Sequence, residues 1–172
     1  MNKSQLDIRA VGSTGDLELV VNLCNAFRAW LTERYPEHDW ASDPFYGPTR
    51  WAELMTRLKE LHAPPEGTIL LATLAGRAAG CVMLQQLAPQ ICEMKRLFVL
   101  PECRGLAVGQ KLCGRLIEDA AALGYRTMRL DTGVRHHEAQ ALYRSLGFQE
   151  IAPYYDCPEE LRDLMLFMER SL

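Results

Sequence analysis

The sequence predicts an α/β (α+β) fold in one domain over 1–172: a central mixed, mostly antiparallel sheet flanked by helices and carrying one β-α-β unit. Three observations predict it. Two segments with helical periodicity fill the first third of the chain, short apolar runs separated by turn formers follow from Thr68, and an amphipathic helix then stands between two strand-like runs. With 172 residues, 48% of them hydrophobic, the chain can bury one sizeable core but hardly two.

In chain order, Val20, Leu23, Cys24, Phe27 and Leu31 recur every three or four residues, which predicts a helix from Asp16 to about Arg34, closed by Pro36. A second helix carries Trp51, Leu54, Met55, Leu58 and Leu61, with Thr49 as the expected N-cap and Pro64-Pro65 preventing continuation. The linker between them, 35–48, holds Tyr35, Trp40, Phe45 and Tyr46 among turn formers, a composition suited to lining a pocket. Strands follow at Thr68–Leu74, Ala79–Leu87 and Ile91–Val99, separated by Ala75-Gly76 and Pro89, and read as an antiparallel meander. Leu112, Leu116, Ile117, Ala120 and Ala121 form one face of a helix from Val108 to Leu123 that ends at Gly124, and a strand from Thr127 to Thr132 completes the β-α-β unit. A short helix from about Glu138 to Leu146 ends at Gly147, and strand-like segments at Gln149–Tyr155 and Leu164–Glu169 close the chain.

Charge and composition exclude several function classes. A net charge of −3 lacks the basic footprint of a nucleic-acid binder. Met1 to Asp7 is polar, and no run of about 18 apolar residues occurs, so neither a secretory leader nor a membrane span is expected and a cytoplasmic protein is. Cys24, Cys81, Cys92, Cys103, Cys113 and Cys157 form no Cys-x-x-Cys pair and have no histidine at zinc-finger spacing. They are expected to be reduced, mostly buried thiols, with no structural metal.

The most informative stretch is Leu97-Phe98-Val99-Leu100-Pro101-Glu102-Cys103-Arg104-Gly105-Leu106-Ala107-Val108-Gly109-Gln110, a strand that passes through a small-residue turn into a helix. The first turn of a helix leaves N–H groups without partners, and small residues let a phosphate approach them. The Walker pattern fails on spacing, since Gly105 and Gly109 are separated by three residues and followed by Gln110-Lys111-Leu112, and the G-x-G-x-x-G fingerprint is absent. Arg104-Gly105-Leu106-Ala107-Val108-Gly109 resembles instead the Gln/Arg-x-x-Gly-x-Gly/Ala cofactor motif of the GNAT superfamily of N-acetyltransferases. Ala107 departs from it where the family usually has glycine, so the backbone there is expected to keep a conformation that tolerates a Cβ. Ala139-Gln140-Ala141-Leu142-Tyr143-Arg144-Ser145-Leu146-Gly147-Phe148 is similar to the family's A-x-x-L-Y-x-x-x-G-F segment, and the likeness covers the chain from about Thr68 onward.

The resemblance implies an acetyl-CoA-dependent N-acetyltransferase acting on a small primary amine by direct transfer, with the acceptor drawn from amino acids, polyamines, antibiotics or peptide N-termini. It implies that backbone groups of Leu97, Phe98 and Val99 hold the pantetheine arm, that Arg104 to Gln110 surround the pyrophosphate, and that Tyr143 protonates the departing thiolate. A phenol near pKa 10 is protonated at neutral pH, and a thiolate leaving group near 8.5 benefits from that proton. An ammonium must lose a proton before it attacks, so a base is wanted. Alternation along the strand puts Glu93 on the side of Leu97 and Val99, where several relatives place a catalytic glutamate; the other reading pairs Glu93 with Lys95 or Arg96 on a solvated surface. His136, where many relatives have a cofactor-binding asparagine, is a cofactor contact, a second base near pKa 6.5 or an exposed helix-start residue, and Asp131 either orders the site or caps its loop. The aromatic linker and Pro153 to Glu160 are the expected acceptor walls, the three carboxylates of the latter hinting at a cationic acceptor. A non-catalytic acyl-CoA sensor and a same-fold enzyme with another acyl donor or a hydroxyl acceptor are the alternatives. Homodimers are common in the family, though no residue here marks an interface.

Overall fold

The computed structural model describes residues 6–172; the polar Met1–Gln5 segment lies outside the described residues. Seven strands form one sheet in the order β1-β2-β3-β4-β5-β7-β6. They are β1 (Leu6–Ala10), β2 (Thr68–Leu74), β3 (Arg77–Ala88), β4 (Ile91–Val99), β5 (Thr127–Gly133), β6 (Gln149–Ile151) and β7 (Met165–Ser171). The helices are α1 (Thr14–Arg34), α2 (Pro48–Leu61), α3 (Val108–Ala122), α4 (His137–Ser145) and the short α5 (Glu159–Arg162). The meander β2-β3-β4 is antiparallel, and β4 with β5 is the parallel pair that α3 connects, so the sheet is mixed as expected. No described helix is long and apolar enough to cross a membrane.

Alternation along the strands sorts the core into two layers. Val82 and Leu84 of β3, Cys92 and Met94 of β4 and Met128 and Leu130 of β5 meet Val108, Leu112, Leu116 and Ala120 of α3 and Tyr143 of α4. On the other face Cys81, Met83 and Phe98 pack against Val20, Leu23 and Cys24 of α1 and Trp51 and Leu58 of α2. The hairpin at Ala75-Gly76 has positive φ at both residues (48° and 78°), the twist a two-residue turn needs. Five of the six free cysteines are buried, and burial pushes the Cys92 and Cys113 thiols up to about 12.

Several boundaries differ from the sequence expectation for local reasons. Helix α1 starts at Thr14 because the Ser13 side chain accepts the Asp16 N–H (3.0 Å). Helix α2 starts at Pro48 rather than after Thr49: proline sits at the first position, where its missing N–H goes unused, and Gly47 is the cap. A Cβ on Gly47 would lie 2.7 Å from the Asp43 carbonyl, so glycine is needed there. Strand β1 was not expected; it is an edge strand whose register, Leu6↔Leu74 to Ala10↔Leu70, comes from β2. The segment expected as a strand to Tyr155 stops at Ile151, because Pro153 cannot join a ladder, and the chain swings Tyr154 and Tyr155 back over the sheet.

Candidate active site

Strands β4 and β5 diverge. Their pairing ends at Glu93↔Arg129, after which β4 runs on to Val99 and β5 to Gly133 without bonding each other. The cause lies in β4. Arg96 has φ of +51°, and against β3 the stretch Lys95 to Phe98 spans only Met83 to Cys81, so β4 carries an extra residue. Such a bulge reverses side-chain parity. Leu97 and Val99 therefore pack on the α3 face, while Glu93 and Lys95 share the opposite face with Phe98. Unbroken alternation had put Glu93 with Leu97 and Val99; the bulge corrects that assignment.

A cleft of about 780 Å³ opens where the strands part. Leu97, Phe98, Val99, Arg104, Gly105, Ala107, Val108, Gly109, Gln110, His136, Tyr143 and Glu93 all line it. Of the expected catalytic and cofactor-binding residues only Leu106 does not, since its side chain turns to solvent and is 53% exposed. The edge of β4 facing the cleft from Met94 to Val99 has no strand beside it, which leaves backbone groups there for an extended ligand. At one end of that edge, the first backbone bond of α3 is Lys111 N–H to Ala107 C=O, so the Val108, Gly109 and Gln110 N–H groups have no helical acceptor. They form an anion site with the positive end of the helix dipole behind it. Ala107 is left-handed (φ 59°, ψ 15°), not in the Cβ-tolerant conformation expected of an alanine in a glycine position. The Arg104 guanidinium lies over Trp30 (5.5 Å to the ring centre), and its Nε donates to the Val99 carbonyl (3.3 Å).

Tyr143, only 5% exposed, reaches the cleft from α4 with its ring edge-on to Phe148 (5.9 Å). Burial holds its phenol well above the usual tyrosine range, so it is protonated at any pH where the protein works. Glu93 is buried, not on a solvated surface. Its Oε1 accepts from Tyr154 (2.6 Å) and Lys95 (3.2 Å), and its Oε2 from Gln85 (2.8 Å). Lys95 also reaches Asp131 (3.4 Å), which takes the Tyr155 hydroxyl (2.9 Å), so Asp131 orders the site rather than capping a loop. Burial alone would lower the Lys95 ammonium pKa, but Asp131 and Glu93 more than offset it and hold the lysine charged. Burial and the adjacent carboxylates raise both tyrosine phenols, keeping them donors.

His136 is not exposed. Trp30 and Tyr35 from the first helix and its exit pack against the ring (centroids 4.8 and 5.7 Å), and Nδ1 accepts the Gly133 N–H (3.2 Å). Burial lowers its pKa to about 4, which leaves it neutral and too weakly basic for the role its ordinary pKa suggested. The aromatic linker does line the cleft, through Tyr35, Trp40, Phe45 and Tyr46. Asp43 fixes that loop by accepting the Phe45 and Tyr46 N–H groups (2.8 and 2.6 Å) and pairing with His38 (2.6 Å). Asp156, Glu159 and Glu160 face solvent instead, and the carboxylates in the cleft include Asp43, Glu93 and Asp131. Sequence reasoning named the Glu93–Lys95 pair, though on a solvated surface, and missed Gln85 and the Tyr154 contact, whose meeting with Glu93 depends on strand register and on the path of the loop after β6. Among the described residues no three His, Cys, Asp or Glu side chains converge as a metal site.

The sequence profile of the acetyltransferase (GNAT) family matches residues 24–148, reaching further toward the N-terminus than the motifs do. An uncharacterized N-acetyltransferase of Schizosaccharomyces pombe is 43% identical over 99 residues, 56% of this chain and 61% of that protein. This chain thus spans less than two thirds of that relative's length. An IAA acetyltransferase of Azospirillum brasilense is 35% identical over 64% of this chain and 71% of its own. Among solved structures, PaiA N-acetyltransferase from Thermoplasma acidophilum in complex with coenzyme A superposes with a TM-score of 0.69 at 18% identity, covering 98% of this chain and 99% of that one.

Proposed function

Because the chain belongs to the acetyltransferase (GNAT) family, we propose that residues 1–172 form one acetyltransferase domain that moves an acetyl group from acetyl-CoA to a small primary amine in the cytoplasm. The observation that carries this reading is the meeting, in one cleft, of an unpaired β4 edge, an unsatisfied helix N-terminus and a protonated Tyr143. The extended pantetheine arm suits the edge at Leu97, Phe98 and Val99, and the pyrophosphate suits the turn from Arg104 to Gln110, with the Leu106 side chain taking no part. That the Thermoplasma protein of the same fold was solved with coenzyme A supports coenzyme A as the ligand.

In the proposed step both substrates are bound together. The acceptor ammonium gives up a proton to Glu93, directly or through water, and its lone pair forms the N–C bond to the acetyl carbon. Glu93 has three donors on its oxygens and four acceptor sites, which leaves one lone pair for that proton or for a bridging water. Backbone N–H groups steady the oxyanion, the C–S bond breaks as Tyr143 gives its proton to the departing thiolate, and the second proton of the attacking nitrogen passes to the resulting phenolate, directly or through water, which leaves a neutral amide and restores Tyr143. The buried, neutral His136 orders the wall at Gly133 rather than moving a proton.

The test is thiol release from acetyl-CoA across a panel of amino acids, polyamines, aminoglycosides and peptides, with wild type and Tyr143→Phe. Turnover with one acceptor class, cut roughly 100-fold or more in Tyr143→Phe at unchanged acetyl-CoA affinity, is expected. Binding with no turnover on any acceptor would favour a sensor, and absence of binding would overturn the reading.

A further inference from the structure

We infer that the acceptor carries a carboxylate as well as its amine, and that Arg96 is the residue that binds that carboxylate. The inference rests on the acetyltransferase reading and narrows its substrate class to amino acids and related amino-carboxylates.

The charges of the cleft are arranged in two unequal groups. Lys95 is shared by Glu93 and Asp131 (3.2 and 3.4 Å), one cation for two anions, so this end keeps a net negative charge that suits an ammonium. Arg96 lines the same cleft three residues along β4 from Glu93, within the bulge. Its guanidinium makes no ion pair among the described residues, and its buried Nε has no hydrogen-bond partner there. The groups around it include Lys95, His62, the Tyr46 ring and the Cys24 and Cys81 thiols, none of them a carboxylate. A guanidinium cannot shed its charge, so a half-buried one without a carboxylate is satisfied by an anionic ligand.

Its orientation is set from below. The His62 Nδ1–H donates to the Leu84 carbonyl (3.0 Å), which fixes the tautomer and leaves Nε2 as an acceptor for Arg96 Nη1 (3.4 Å). Burial lowers the His62 pKa to about 4, so the imidazole stays neutral and does not repel the arginine. The positive φ at Arg96 takes its side chain out of the normal alternation of β4. The cofactor phosphates have their own site at the α3 turn beside Arg104, so Arg96 is left for the acceptor.

The experiment compares kcat/KM for matched acceptors, each L-amino acid against its carboxamide and its decarboxylated amine, in wild type, Arg96→Gln and Arg96→Lys. One charge-assisted carboxylate contact makes the amino acid better by roughly 10- to 100-fold in wild type. Arg96→Gln brings that ratio close to one, chiefly through KM, and Arg96→Lys restores part of it. Circular dichroism and acetyl-CoA affinity confirm that each variant is folded. Equal turnover of amino acids, amides and amines by wild type, or a preference that survives Arg96→Gln, overturns the inference while the acetyltransferase reading stands. A wild type that acetylates no member of the panel overturns both.

Discussion

Acidification from pH 7 to pH 5 tests the burial of two histidines. His62 and His136 are 2% and 9% exposed, and burial lowers each pKa to about 4. In the unfolded chain each returns to about 6.5. Below 6.5 the unfolded state takes up protons that the folded state refuses until about 4, so stability is full above that window and falls as pH drops through it. Linkage gives a loss of about 2 kcal/mol per histidine at pH 5, and about 4 kcal/mol if the two act independently. For a chain of this length that corresponds to a fall in Tm of roughly 8 to 16 °C. Other groups also titrate, so the measurement is the difference between profiles: Tm from pH 7 to 5 for wild type, His62→Gln and His136→Asn. Each variant is expected to lose about half of the wild-type histidine contribution, whatever its Tm at pH 7. Profiles of both variants parallel to wild type would refute the reasoning.

Three further outcomes follow from single positions. Ala107→Gly removes a Cβ from a left-handed residue, a relief of about 1–2 kcal/mol, against about 0.4–1 kcal/mol of added freedom in the unfolded chain; a Tm rise of a few degrees is expected by calorimetry. Gly133→Ala puts a Cβ against the Tyr35 hydroxyl and 2.8 Å from His136 Nε2, and a loss of about 1–3 kcal/mol in urea unfolding is expected. Glu93→Gln keeps the shape of the network but removes the proton acceptor, so kcat should fall by roughly 100-fold or more in thiol release while acetyl-CoA affinity holds.

How much of this was legible beforehand depends on what each feature needs. The helices at Val20 to Leu31 and Leu112 to Ala121 follow from periodicity, and β2 and β4 have the expected bounds because apolar runs and turn formers mark both ends. The phosphate turn was readable because its requirement is local: small residues between a strand and a helix. Side-chain parity beyond Arg96 was not readable, since an arginine at positive φ leaves no mark in the sequence and the bulge shows only against β3. The same limit hid the Glu93 network, built from β3, β4, β5 and the loop after β6, and the burial of His136, which depends on Trp30 and Tyr35 more than 100 residues earlier. The local sequence around His136 is that of an exposed helix start, and tertiary packing decided otherwise.

The central claim is that acetyl-CoA lies along β4 and over the first turn of α3, and amide hydrogen exchange read by mass spectrometry tests it most directly. Saturating acetyl-CoA is predicted to slow exchange in peptides covering Leu97–Val99 and Val108–Gln110 while the β1–β2 edge is unchanged. Unchanged exchange in both segments at a concentration that saturates binding, or protection located elsewhere, would contradict it.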